Sequence, residues 1–147
     1  MKKIILPMCM LAMIACSKEE TKTTTNNNTS ITFNKENLVG TWNIDKLEGY
    51  TTSNDSLTLT FPFTKGSATV AFNADNSFIT KSPFGNAEGT FSIIKLNGKD
   101  VLITTETGDP SDTCEISTFT ASTLIFDDRA AEIRANDDSW SKTYCSK

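Results

Sequence analysis

Leu38-Val39-Gly40-Thr41-Trp42 decides the reading of this chain. Everything before it has the character of an export signal and a tether. Everything after it has the character of short strands and tight turns. Gly40 lets the backbone enter at an angle that a Cβ would block. From there Gly40-Thr41-Trp42-Asn43-Ile44-Asp45 alternates, placing Trp42 and Ile44 on one face of a strand.

Downstream the same period of two recurs. Leu57, Leu59, Phe61 and Phe63 share a face, with Thr58 and Thr60 opposite and Pro62 marking an edge or a bulge. That pattern predicts a half-buried strand. Ala68, Val70 and Phe72 form the next inward set, Asn73-Ala74-Asp75-Asn76 a turn, and Phe78 to Thr80 the return. Gly89 to Ile93 and Val101 to Thr105 flank Asn97-Gly98, a strong hairpin signal. Thr113 to Phe119 and Thr123 to Phe126 make another pair, and Ser139 to Cys145 closes the chain as a strand. Arg129 to Ala135 suits a helical turn or a strand. Turn signals at this spacing, with no long helix pattern, predict an all-β, up-and-down antiparallel barrel or sandwich of about eight strands.

The Gly40-Thr41-Trp42 triplet and the Phe72-Asn73-Ala74-Asp75-Asn76-Ser77-Phe78 hairpin resemble the lipocalin-like domains of bacterial lipoproteins. The resemblance runs from Leu38 to Tyr144 and departs in having Asn76 where glycine is usual. It implies a small barrel with Gly40 and Trp42 plugging a closed end. It also implies a mouth opposite, where Phe61, Phe63 and Phe84 would meet a small hydrophobic ligand. Arg134 is a candidate for the late arginine that packs over the tryptophan in lipocalins.

Upstream, Met1-Lys2-Lys3 is a positive start, and Ile4 to Ala15 is apolar but too short to span a bilayer. Met13-Ile14-Ala15-Cys16 resembles the lipobox of bacterial lipoproteins. The resemblance implies signal removal after residue 15, a diacylglycerol thioether on Cys16 and palmitate on the new amino terminus. Ser17-Lys18-Glu19-Glu20 resembles the signal that sends lipoproteins to the cell surface in some Gram-negative bacteria. The alternative is an acidic tether at the periplasmic face of the outer membrane. Thr21 to Ser30 holds no aliphatic residue and so nothing to offset the cost of ordering it. The domains expected are 1–15 signal peptide, 16–35 lipidated tether and 36–147 barrel, with Ile31 to Asn37 as an arm or short helical turn leading in.

The formal charge is −4, and it becomes more negative when Lys2 and Lys3 leave with the signal. A chain this acidic suits neither nucleic acid nor an anionic membrane surface. There is no histidine, which removes Ser-His-Asp catalysis and histidine metal sites. The expectation is therefore a non-enzymatic, monomeric domain without cofactor or metal. Asn73, Asp75 and Ser77 space like calcium ligands, but neither the sixth nor the twelfth position of such a loop fits. Asp109, Asp112, Asp127, Asp128, Asp137 and Asp138 fall where turns favour aspartate. Cys114 and Cys145, two thiols in an exported domain, suggest a disulfide. The aromatic residues are enough either to line a pocket or to fill a small barrel solid. A cavity above about 300 Å³ favours a ligand binder. A filled core beneath an exposed apolar patch favours an interaction module of a cell-surface assembly.

Overall fold

A computed structural model describes residues 31–130 and 135–147. The expected signal peptide and Cys16 lie outside the described residues, as does most of the tether. Among the described residues a short helix is followed by nine strands. The helix α1 is Lys35–Leu38. The strands are β1 Gly40–Thr51, β2 Leu57–Pro62, β3 Thr69–Phe72, β4 Ser77–Ser82, β5 Gly85–Leu96, β6 Lys99–Glu106, β7 Ser111–Phe119, β8 Thr123–Asp127 and β9 Ser139–Ser146. Every pairing is antiparallel. The order is β2-β1-β3-β4-β5-β6-β7-β8-β9, and β1 also pairs with β9. Eight strands thus close into a barrel and β2 stands as an extra one, confirming the all-β, up-and-down expectation.

β1 is the strand that makes closure possible. One edge pairs with β9 from Asn43 to Thr51. The other is shared: β3 takes Gly40 to Asn43 and β2 takes Lys46 to Tyr50. A bulge between Ile44 and Lys46 makes Asp45 the extra residue against β9. The bulge reverses the alternation. Before it Trp42 and Ile44 point into the barrel; after it Leu47 does, and Lys46, Glu48 and Tyr50 face out beside Tyr144, Lys142 and Trp140.

The core sits at the end where β1 begins. Trp42, Phe72, Leu38 and Leu124 are essentially without solvent contact, and Phe33 and Phe119 pack with them. Phe33 meets Phe119 edge-on at 4.9 Å between ring centroids. The packed domain therefore starts before residue 36, and Ile31 and Phe33 belong to it rather than to the tether. Asn34 caps α1 by accepting from the Asn37 backbone N–H. The Trp42 Nε1–H donates to the Leu38 carbonyl at 2.8 Å, tying the helix to the barrel floor. Gly40 has φ +128°, which an L side chain rarely adopts, with only Lys147 side-chain atoms near its missing Cβ. Glycine is needed there for its backbone angle rather than for space.

Several expectations change. β2 is exposed along its whole length instead of half-buried, because it runs beyond the barrel wall with one edge unpaired among the described residues. Cys114 and Cys145 are both buried and are not bonded to each other. Cys114 lies on β7 and Cys145 on β9, with β8 between them. Two strand spacings put their Cα atoms roughly 10 Å or more apart, beyond the ~7 Å limit for a disulfide. Arg134 lies outside the described residues. The cation observed on Trp42 is Lys147, whose Nζ sits 4.2 Å from the ring centroid. Arg129 and Ala130 are helical.

The hairpins follow their turn chemistry. Asn97 and Gly98 both have positive φ, as does Asn76 in the β3–β4 turn. Asp75 accepts from the Ser77 N–H and hydroxyl, so its oxygens serve the turn. Asp128 likewise accepts from the Ser141 backbone and hydroxyl across the β8–β9 connection.

On the outer wall Glu48 is almost buried and accepts three hydrogen bonds, each 2.6 Å, from Lys46 Nζ, Tyr50 OH and Tyr144 OH. The Lys46 bond, then the tyrosines, hold its carboxyl down at about 2. A depressed folded-state pKa stabilises the protein above the unfolded value, and that stability fades as pH falls toward 2. Lys46 is partly solvated, so the contribution is on the order of 1–2 kcal/mol. Glu48→Gln is expected to lower the melting midpoint at pH 7. It should also flatten the loss of midpoint between about pH 5 and pH 2.5. A variant that melts like the parent at every pH would show that the three donors contribute nothing net.

Candidate functional site

The barrel interior holds a half-open cavity of about 220 Å³ that Trp42 does not line. Its walls come from the inward series of successive strands. β1 supplies Ile44 and Leu47, β3 Val70 and Phe72, β4 Phe78 and Thr80, β6 Leu102, Thr104 and Glu106, and β8 and β9 supply Phe126 and Thr143. The lining is graded. On β4 the inward position changes from Phe78 to Thr80, on β6 from Leu102 to Thr104 and Glu106, and on β9 from Cys145 to Thr143. Each change runs away from the Trp42 end. The floor is apolar and the upper wall carries hydroxyls and one carboxylate. The volume is below the about 300 Å³ typical of ligand pockets, yet above the about 150 Å³ cavity that takes up benzene.

Above this wall the three aromatics expected at the mouth meet one another. Phe61 lies 5.3 Å from Phe63 and 4.9 Å from Phe84, and Phe63 lies 6.0 Å from Phe84, between centroids. Two elements bring them together. Phe61 pairs across the ladder with the cavity-lining Leu47, and Phe84 sits at the tip of the β4–β5 hairpin. Phe63 is not at the rim. Its N–H donates to the Asp45 carbonyl and its ring packs on the core. Phe84 is 69% exposed, and Leu57 and Leu59 extend the apolar surface along β2 at 55% and 57%. Trp42, at the opposite end, takes no part.

A second recess, about 320 Å³, lies on the outer wall between Trp140, Arg129, Lys99, Glu115, Asp127 and Lys142. It is larger, but its charges are engaged with one another. Lys99 bonds Glu115, Asp127 stands opposite Lys142, and Arg129 pairs with Asp55 at 2.9 Å. Burial raises the Asp127 carboxyl above its ordinary value. Trp140 is stacked on Tyr50 at 4.3 Å. This side is a surface mortar holding the β1–β9 seam.

Cys145 is pushed up to about 12, first by burial and then by Asp45, so its thiol is an inert wall component. Among the described residues no group of three His, Cys, Asp or Glu side chains is placed to hold a metal. The sequence reading missed Glu106 and the threonine collar. The signal was present in the inward series Leu102-Thr104-Glu106, where apolarity falls away toward the loop.

A family model described as a lipocalin-like domain matches residues 38–126. No curated protein and no solved structure matches the chain. The matched span runs from the Leu38 that plugs the barrel floor to the Phe126 that lines the cavity, more than half of the sequence, and the chain belongs to the lipocalin-like domain family.

Proposed function

We propose that this protein is a lipid-anchored, non-enzymatic lipoprotein of the bacterial outer membrane whose barrel binds a small hydrophobic molecule. The observation that carries the binding role is the mostly apolar cavity, whose wall residue Leu47 pairs across the β1–β2 ladder with Phe61 of the Phe61, Phe63 and Phe84 cluster. A compact ligand, or the end of a longer one, occupies the cavity while the rest lies on the aromatic cluster. The anchoring role rests on the lipobox-like Met13 to Cys16, with Ser17 to Glu20 favouring the cell surface. Cys16→Ser should leave a precursor that takes up no labelled palmitate; equal labelling of the variant would remove the anchor.

The binding test is titration with the neutral apolar fluorophore N-phenyl-1-naphthylamine. The parent should bind saturably. Phe84→Ala should weaken binding several-fold while moving stability by less than about 0.5 kcal/mol, because the side chain is largely exposed. A competing reading has a specific observation behind it. Leu57, Leu59, Phe61 and Phe84 expose an apolar patch beside an unpaired strand edge, which suits docking within a cell-surface assembly. Absence of saturable probe binding by the parent would favour that reading.

A further inference from the structure

The geometry points to a cationic amphiphile, an apolar tail carrying an amine or ammonium head, as the class of ligand this cavity takes. The inference rests on the pocket reading above and specifies the head group. Among the described residues Glu106 is the one charged residue lining the cavity. It stands at the polar end of the graded wall, two inward positions beyond Leu102 on β6, and is half-buried. The ion pairs among the described residues are Lys46–Glu48, Lys95–Asp100, Lys99–Glu115 and Arg129–Asp55. None of them brings a lysine or arginine to Glu106.

The surroundings add to that field. Asp112 is opposite Thr104 in the β6–β7 ladder and two residues from the inward Cys114, so it faces the same way. Burial, and then Asp128 and Asp109, raise its carboxyl above the ordinary value, which marks this rim as acidic. Thr80, Thr104 and Thr143 line the same wall, and their hydroxyl oxygens accept hydrogen bonds from an ammonium head. A carboxylate head would meet Glu106 with no lysine or arginine among the described residues paired to it to offset the repulsion. Fatty acids are thus selected against by charge although the tail suits the floor, whereas an ammonium gains its counter-ion on entry.

The test holds the tail constant and varies the head. Octylamine, octanol and octanoate are titrated against the purified protein loaded with N-phenyl-1-naphthylamine, at low and high salt. Octylamine should displace the probe at least about tenfold more effectively than octanoate, with octanol between them. The amine's advantage should shrink at high salt. Glu106→Gln should remove the advantage of octylamine over octanol. Octanoate equalling the amine overturns the inference, as does an amine preference that survives Glu106→Gln. In both cases octanol binding leaves the pocket reading standing. If none of the three displaces the probe, or the probe itself does not bind, the pocket reading fails and takes the inference with it.

Discussion

Trp42→Ala is expected to cost about 3–5 kcal/mol, the range for removing a large aromatic from a packed core. Trp42 has no solvent exposure, lies 5.9 Å from the Phe119 ring and is overlaid by Lys147. Losing it opens a void that the barrel wall cannot collapse into, since Val70 faces it across the β1–β3 ladder. It also strips the Leu38 carbonyl of its donor, which loosens α1 from the floor. At roughly 4–8 °C per kcal/mol for a domain near 100 residues, the melting midpoint should fall by at least about 12 °C. Trp42→Phe separates the contributions. It keeps much of the volume and loses the 2.8 Å Nε1–H bond, so it should cost markedly less than alanine. A Trp42→Ala midpoint within a few degrees of the parent would take Trp42 out of the core. Trp42 does not itself line the cavity, although its ladder partner Val70 does, so the variant should still bind an apolar probe where it is folded, in contrast to Phe84→Ala.

The strands were legible because each buries one face, so period two survives in the sequence. Ala68, Val70 and Phe72 are an inward set in both readings. The turns were legible because their backbone demands positive φ, which Asn76, Asn97 and Gly98 supply. What the pattern could not carry is which surface a face meets. Leu57, Leu59 and Phe61 alternate like a buried strand, yet β2 leaves the wall and exposes them. Alternation also hides a bulge. Asp45 reverses the faces of β1, so Glu48 and Tyr50 face outward and Leu47 inward, which the run from Gly40 to Asp45 does not announce.

The disulfide expectation failed for a related reason. Compartment chemistry says that two thiols tend to pair, whereas the order of strands puts β8 between them. Phe33 and Lys147 escaped notice because they act from outside the alternating segments. One fills the floor beneath Phe119 and the other covers Trp42. The candidate site was half legible. Aromatic spacing brought Phe61, Phe63 and Phe84 forward, and the structure clusters them. Glu106 was legible only through the inward series Leu102-Thr104-Glu106, since a lone acid at a strand end otherwise reads as a solvated one.

Gly89→Ala should be the other most damaging small change in the barrel. Gly89 belongs to two ladders at once, opposite Phe78 on β4 and Glu106 on β6. β5 turns there from one neighbour to the other. A Cβ at Gly89 would lie 2.0 Å from the Thr105 carbonyl oxygen, 2.8 Å from the Thr105 carbonyl carbon and 2.9 Å from the Glu106 Cα. All three are backbone atoms, so no rotamer relieves the contact. Accommodating one methyl means parting β5 from β6. The expected loss is about 3 kcal/mol or more, at or beyond the top of the usual overpacking range, with ladder hydrogen bonds weakened as well. Gly40 makes the instructive contrast: its obstacle is backbone angle, and alanine there should cost only about 1–3 kcal/mol in strain. Denaturant unfolding of both variants tests the ranking. Gly89→Ala within about 1 kcal/mol of the parent would mean that β5 and β6 cross less closely than described. The site is exposed to the same change, because the displaced segment carries Glu106. Where Gly89→Ala remains folded, the preference for an amine head over a carboxylate should weaken even though no cavity-lining side chain has been altered.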